Sequence, residues 1–203
     1  MNPTPRHFAF RGERKYVHGT DMYMDVIRAF EEAGFGPLKD ALSMKILHKT
    51  TRQLDLHLFG PGEALEKPDG VMVEAVTKVG GKPVVAWYVE SDREVADQRP
   101  YPEQEIRSKC EIDGARISLR EDTGFEPIEV ISSMATHINT LNIPPGDKKW
   151  VFTRLDIRRP LRAGDASDID IEIVKNMNNA MTKSSIVVSG EALGDIFFSL
   201  AEM

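Results

Sequence analysis

Three polar side chains follow one another at helical spacing in the second half of the sequence. Glu129, Ser133 and His137 lie four residues apart, which places them in a line on one face of a helix. A carboxylate, a hydroxyl and an imidazole are groups that move protons or polarise a carbonyl. On an exposed helix the line would be an ordinary solvated face. Inside a core each group needs a partner, since an unsatisfied buried group costs about 1–3 kcal/mol.

A second group of residues is basic, in a chain of 26 Lys and Arg against 32 Asp and Glu and a net charge of −6. Alternation along WVFTRLDIRR predicts Arg154 and Arg158 on one side of a strand and Arg159 on the other. Because arginine binds phosphate bidentately, Arg154 and Arg158 are predicted to bind the phosphates of a ligand. The alternative is a strand edge protected by charge. The basic cluster comprises Lys148, Lys149, Arg154, Arg158, Arg159 and Arg162.

Several kinds of site are excluded. The five histidines form neither HxH nor HExxH, and Cys110 is the single cysteine, so no metal and no internal disulfide are expected. GxGxxG, P-loop and GxSxG motifs are absent, so no nucleotide cofactor and no nucleophile-elbow hydrolase are expected. Negative net charge argues against nucleic-acid binding, and no apolar run approaches the ~20 residues of a membrane helix. The lone cysteine fits a reducing compartment, and a cytoplasmic location is expected.

The elements that position these groups follow two hydrophobic periods. Apolar residues recur at helical spacing over 20–33 and 127–141, which predicts two helices. Residues 7–17 and 105–112 are predicted to be strands, and the polar segment 92–104 a linker. Further strands are predicted at 42–48, 54–59, 71–79, 83–90, 115–121, 150–157, 169–174, 184–190 and 195–202.

Each half is therefore predicted to consist of a strand, a helix and then four strands, which indicates an internal duplication. LDLHLF at 54–59 and IDIEIV at 169–174 share the same alternation and begin 115 residues apart. Val71 and Ile186, in the strands that follow, keep that spacing. The two halves are thus predicted to superpose, the alternative being a chance recurrence of the pattern.

This order of elements resembles the hotdog fold, in which a long antiparallel sheet surrounds a central helix. TRLDIRRPLRAGD, at 153–165, is similar to the strand-to-turn segment that follows the helix in many thioester enzymes of that superfamily. The resemblance implies an α+β double hotdog: two βαββββ lobes, 1–96 and 97–203, with antiparallel sheets wrapped around two central helices. It also implies helices that lie side by side and an acyl channel at the seam.

The same resemblance implies a protein that handles acyl thioesters, dehydratase-like or thioesterase-like, with acyl-CoA or acyl carrier protein as partner. In the dehydratase branch a histidine precedes the helix and an acid projects from it. His18 and Asp25 stand at those places in the first half, whereas Ser132 takes the place of the acid in the second. The alternatives are a capping or packing histidine and a solvated aspartate.

In a thioesterase-like site, Glu129 would activate water while His137 or Ser133 polarised the carbonyl. Simple hydrogen bonding between the lobes is the alternative for this line. An enzyme, either an acyl-thioester dehydratase or a thioesterase, is the favoured interpretation. The competing hypothesis is a noncatalytic double-hotdog module that binds an acyl ligand or a protein partner, and a homo-oligomer is compatible with either.

Overall fold

The chain divides into two compact units, whose boundary falls within residues 92–104. The computed structural model describes residues 3–35 and 38–202. We call Met1–Tyr101 the first unit and Pro102–Met203 the second unit. Both are built of antiparallel strands and α-helices. Within the described residues, no helix is long and apolar enough to span a membrane.

Among its described residues, the first unit contains one helix, α1 (Gly19–Glu32), whose apolar face is buried. The buried apolar side chains recur three or four residues apart, as expected of a helix packed on one side. They are Met22, Val26, Ala29 and Phe30. The helix ends before Gly34, whose φ of 78° favours glycine. The predicted helix over 20–33 is confirmed.

The strands of the first unit run in the order β1-β4-β6-β5-β3, all antiparallel. A separate short ribbon pairs β2 with β7 in parallel. A hairpin at Gly80-Gly81 joins β5 to β6, and both glycines have positive φ. The strands are β1 (Thr4–Pro5), β2 (Phe10–Arg11), β3 (Leu42–Ile46), β4 (Arg52–Phe59), β5 (Val71–Val79), β6 (Lys82–Glu94) and β7 (Gln98–Arg99).

The strands of the second unit run in the order β10-β13-β12-β11-β9-β8, again antiparallel. Tight turns join β8 to β9, β11 to β12 and β12 to β13, so these strands pair with their neighbours in sequence. The strands are β8 (Glu111–Asp113), β9 (Arg116–Leu119), β10 (Lys149–Ile157), β11 (Ile169–Met177), β12 (Met181–Val188) and β13 (Glu191–Ala201).

The second unit has a short helix, α2 (Glu103–Ser108), and a long one, α3 (Pro127–Asn142). Side chains on every side of α3 are buried, and the helix contacts β9, β10, β11 and β12. A helix buried all round is a core helix, not a surface one. Pro127 suits the first helical position, where no N–H is needed. The helix predicted over 127–141 is confirmed.

The predicted strand-for-strand match between the halves is wrong in its connectivity. In the first unit β5 lies between β6 and β3, whereas in the second β12 lies between β11 and β13. Val71 and Ile186 therefore occupy different places in their sheets, despite the shared spacing. The connections explain the difference, because the long loop 60–70 lets β5 start beyond β6. The tight turn at Asn178-Asn179 forces β12 to pair directly with β11.

Two predicted strands are also wrong. Residues 7–17 contain only the two-residue β2, and Gly12 has a φ of 55° that interrupts extended structure. The Gln53 side chain takes the place of a strand partner there: it accepts from the Phe8 N–H at 2.6 Å and donates to the Phe8 carbonyl at 3.0 Å. Residues 105–112 form most of α2 and part of β8 instead of one strand.

Candidate functional site

The polar line on α3 is enclosed within the second unit. Glu129 and Ser133 are buried, with 6% and 0% of their surface exposed, and His137 is half-buried. Helix α2 packs against α3, and the Ser133 hydroxyl donates to the Glu103 carbonyl oxygen of α2 at 3.4 Å. Glu129 and Ser133 are therefore interior groups of a core helix, and His137 lies at its partly exposed end. An exposed, solvated face is excluded for Glu129 and Ser133.

Helix α2 adds a cation to this line. Arg107 forms an ion pair with Glu103 one turn earlier, Nη2 to Oε1 3.3 Å. Its Nε is buried and has no hydrogen-bond partner among the residues that the structure describes. Burial first, and the charge of Arg107 second, lower the pKa of His137 below its usual value. The imidazole is thus held in its neutral form, which can accept as well as donate a hydrogen bond.

The interior of the second unit holds three more polar side chains without protein partners in the described residues. Asn139 on α3 is fully buried, and both atoms of its amide are unpartnered. Thr182 and Ser184, two residues apart on β12, have fully buried hydroxyls that also lack partners. Buried polar groups without a bond are rare in folded proteins. The core around α3 is therefore more polar than a packing role requires.

In the first unit, His18 precedes α1 as its N-cap residue and is buried. Its Nδ1 lies 2.8 Å from the Thr20 hydroxyl, and its ring lies 4.9 Å from that of Tyr101. Burial, reinforced by the charges of Arg14 and Arg11, lowers the pKa of His18 to about 3. His18 is thus a neutral, buried residue at the start of the helix.

Asp25 is buried too, and its carboxylate is fully engaged. Arg6 donates to it from Nε and Nη2 at 2.9 Å, and the Tyr88 hydroxyl donates at 3.0 Å. Arg28 adds an ion pair at 3.5 Å. The Asp25 oxygens thus hold β6 and the N-terminal segment against α1. The solvated helix face considered for Asp25 is wrong, and the catalytic role stays a prediction.

The two arginines predicted to bind phosphate are in different surroundings. Arg154 forms an ion pair with Asp156 of the same strand, Nε to Oδ2 2.7 Å, and its guanidinium lies 5.2 Å from the centre of the Phe197 ring. Arg158 is exposed and lines a cavity of about 440 Å³ at the end of β10. Only Arg158 of the pair borders that cavity.

Sequence reasoning missed α2 and, with it, Arg107. The signal was present, because Glu103 and Arg107 have the spacing of a helical ion pair. Cys110, next to α2, donates to the Ile106 carbonyl, and burial raises the pKa of its thiol to about 11. That thiol is unreactive at neutral pH. Among the described residues, no group of His, Cys, Asp and Glu is arranged to hold a metal ion.

The comparison with solved structures identifies the fold. The chain resembles the tesB protein of Mycobacterium avium subspecies paratuberculosis, with a TM-score of 0.51 and 11% identity over 95% of this chain and 89% of that one. It also matches the dehydratase domain of PpsC from Mycobacterium tuberculosis in complex with C12:1-CoA, with a TM-score of 0.48 and 10% identity over 92% and 85%. No family model and no curated protein matches the sequence. This likeness in structure confirms the predicted hotdog fold.

Proposed function

We propose that the protein is an acyl-thioester enzyme that hydrolyses its substrate in the second unit. The observation that carries the proposal is the polar line of Glu129, Ser133 and His137, enclosed on the core helix of a hotdog-fold protein. A core helix gains nothing in packing from three polar groups in a row, because each must be satisfied. A reaction that needs a base and a carbonyl-polarising group explains their presence.

In the proposed reaction, Glu129 accepts a proton from water as the water oxygen bonds to the acyl carbon. The carbonyl oxygen gains negative charge, which the cation of Arg107 and a hydrogen bond from Ser133 or His137 stabilise. The carbon–sulfur bond then breaks. The proton held by Glu129 passes to the thiolate, so the products are a carboxylic acid and a free thiol.

In this proposal the first unit has a structural role only, and none of its residues takes part in the reaction. Its candidate acid, Asp25, already accepts hydrogen bonds from Arg6 and Tyr88, and His18 is engaged with Thr20. These contacts give Asp25 a structural role between α1, β6 and the N-terminal segment, and Ser132 stands where the second half would carry the acid of a dehydratase helix. We therefore favour hydrolysis over dehydration. Domains of 1–96 and 97–203, related as tandem hotdog lobes, remain part of the proposal.

The test is a panel of acyl-CoA thioesters of increasing chain length. Free thiol released by the full-length protein measures hydrolysis, and loss of enoyl absorbance measures hydration. Hydrolysis is expected, and Glu129→Gln is expected to lower kcat by about 100-fold or more, as loss of a general base does. The matched control is Thr140→Ala, because Thr140 lies on the same helix but is exposed. The control should hydrolyse the panel at the wild-type rate.

Other results would replace the proposal. Hydration without hydrolysis would assign the dehydratase branch. Binding of acyl thioesters with no turnover by the wild-type protein would assign the noncatalytic module. Wild-type hydrolysis that survives Glu129→Gln unchanged would move the reaction away from α3.

A further inference from the structure

A cavity of about 440 Å³ opens in the second unit where β10 ends and β13 begins. Five residues line it: Arg158, Arg159, Glu191, Ala192 and Leu193. The volume lies in the range of small-molecule sites, about 300–1,000 Å³. The lining combines two cations, one carboxylate and an apolar surface. Such a set suits a ligand with an anionic group, hydrogen-bond donors and a flat apolar part.

The walls of this cavity are fixed by backbone contacts. The N–H of Arg158 donates to the Leu193 carbonyl oxygen at 2.8 Å. Just beyond, Ile157 pairs with Gly194, and the strands approach so closely that a Cβ atom at residue 194 would lie 2.0 Å from the Asp156 carbonyl oxygen. The cavity is thus held at a point where the two strands cannot shift apart without losing contacts.

The two arginines differ in their freedom. Arg159 donates twice to Asp165, at 2.6 and 3.0 Å, and Asp165 also accepts the Arg162 N–H at 2.8 Å. These bonds overcome the effect of burial and lower the pKa of Asp165. The Asp165 side chain is therefore ionised at neutral pH, and its two hydrogen bonds hold Arg159 in place. The side chain of Arg158 has no hydrogen bond or ion pair within residues 3–35 and 38–202, and its charge is available to a ligand.

Glu191 limits what the ligand can be. A bare phosphate would meet this carboxylate as a like charge, which disfavours binding. A phosphorylated nucleoside would instead offer hydroxyl or amino donors to Glu191 while its phosphate meets Arg158. The apolar face of the base would lie on Ala192, which is exposed, whereas Leu193 is buried and offers it little surface. Arginine recognises phosphate through two parallel hydrogen bonds, so Arg158 is suited to that part.

We infer that this cavity binds the phosphorylated nucleoside of coenzyme A. The inference rests on the proposed function, and it selects a CoA thioester over a thioester carried by a protein, because a carrier's phosphopantetheine has no nucleoside. It also changes the phosphate-binding pair predicted from sequence. Arg158, with Arg159 beside it, takes the place of Arg154 and Arg158, since Arg154 is paired with Asp156 and does not border the cavity.

The experiment is calorimetric titration of the full-length protein with CoA, 3′-dephospho-CoA, adenosine 3′,5′-bisphosphate and inorganic phosphate. Arg158→Ala is expected to weaken CoA binding at least about tenfold, the loss of a charge-assisted pair. It should leave 3′-dephospho-CoA binding unchanged if the 3′-phosphate is the group bound. Lys149→Ala is the matched control, because it removes one exposed charge at the far end of β10, the strand that Arg158 directly follows. Adenosine 3′,5′-bisphosphate should compete with CoA, and inorganic phosphate should not.

Three results would overturn the inference: equal CoA affinity in the wild type and Arg158→Ala, an equal loss in Arg154→Ala, or competition by inorganic phosphate as strong as that of the bisphosphate. Failure of the proposed function looks different. If acyl-pantetheine is hydrolysed as fast as acyl-CoA and Arg158→Ala leaves KM unchanged, the protein is a thioesterase but the cavity does not bind CoA. If Arg158→Ala loses CoA binding but the wild-type protein hydrolyses no thioester, the cavity binds CoA and the proposed hydrolysis is wrong.

Discussion

His18, the N-cap residue of α1, and Asp25, within α1, are both buried but have different neighbours. His18 is buried beside Tyr101 and near two arginine charges, so the neutral imidazole is favoured. Asp25 is buried beside Arg6 and the Tyr88 hydroxyl, both of which donate to its oxygens. Their partners differ accordingly: Arg6 forms an ion pair with Asp25, whereas His18 contacts the Thr20 hydroxyl and the Tyr101 ring.

The buried His18 makes stability sensitive to acid. Its pKa is about 3 in the folded protein and ordinarily 6.5, so between these values the unfolded chain binds more protons. The stability that depends on neutral His18 is therefore complete above pH 6.5 and is lost as the pH falls toward 3. We expect His18→Asn, which places a non-titrating residue favoured at N-cap positions there, to make the free energy of unfolding less dependent on pH in that interval.

Urea unfolding at a series of pH values measures this dependence. The control is His7→Asn, at an exposed histidine, which should retain the wild-type slope. An unchanged slope in His18→Asn would mean that another group causes the acid sensitivity.

At the scale of elements, close approach of two strands depends on one residue. Gly194 pairs with Ile157, and a Cβ atom there would lie 2.0 Å from the Asp156 carbonyl oxygen and 2.8 Å from the Ile157 Cα. Both are backbone atoms, so no side chain can move aside. The contact fixes β10 against β13 in the core of the second unit.

Replacing this residue tests how rigid the contact is. Gly194→Ala is expected to lower the free energy of unfolding by about 3 kcal/mol, the upper end of the usual effect of overpacking. Gly164→Ala is the control, because a Cβ atom at Gly164 would meet nothing within 4 Å. Thermal and urea unfolding measure both variants. A loss below about 1 kcal/mol in Gly194→Ala would show that the strands separate easily.

The elements also show what local pattern can and cannot predict. Helix α3 and the hairpin at Gly80-Gly81 were predictable, because periodicity and turn residues act over a few positions. Residues 105–112 carry both periods: Ile106 and Cys110 are four apart, and Cys110 and Ile112 two apart. Contact with α3 decides between them, and that contact is not visible in the local sequence. For the same reason the sequence indicated the polar line of Glu129 but not Arg107, which reaches it from α2.

At the scale of the whole molecule, the order of the strands differs between the units. In the second unit β11, β12 and β13 pair in succession through tight turns. In the first unit, β4 pairs with β6 and β3 with β5, so chain segments distant in sequence must meet before the sheet can form. Pattern along the chain is similar in the two halves, yet the pairing partners are not. Strand periodicity specifies which face is buried, and the connecting loop selects the neighbour.

This difference has a consequence for the route by which the chain folds. Closing a long loop costs conformational entropy before stabilising contacts can form. Sheets of local hairpins therefore form earlier than sheets of strands that are distant in sequence. We expect the β11–β12–β13 meander to form first and the sheet of the first unit to follow. Pulse-labelled hydrogen exchange during refolding of the full chain should then find the amides of Ile186 and Phe198 protected before that of Tyr88. The reverse order would mean that some interaction other than loop closure starts folding. If the expected order holds, a ribosome releases the slower-folding half first, so the strands of the first unit stay unpaired while the second unit is still being synthesised.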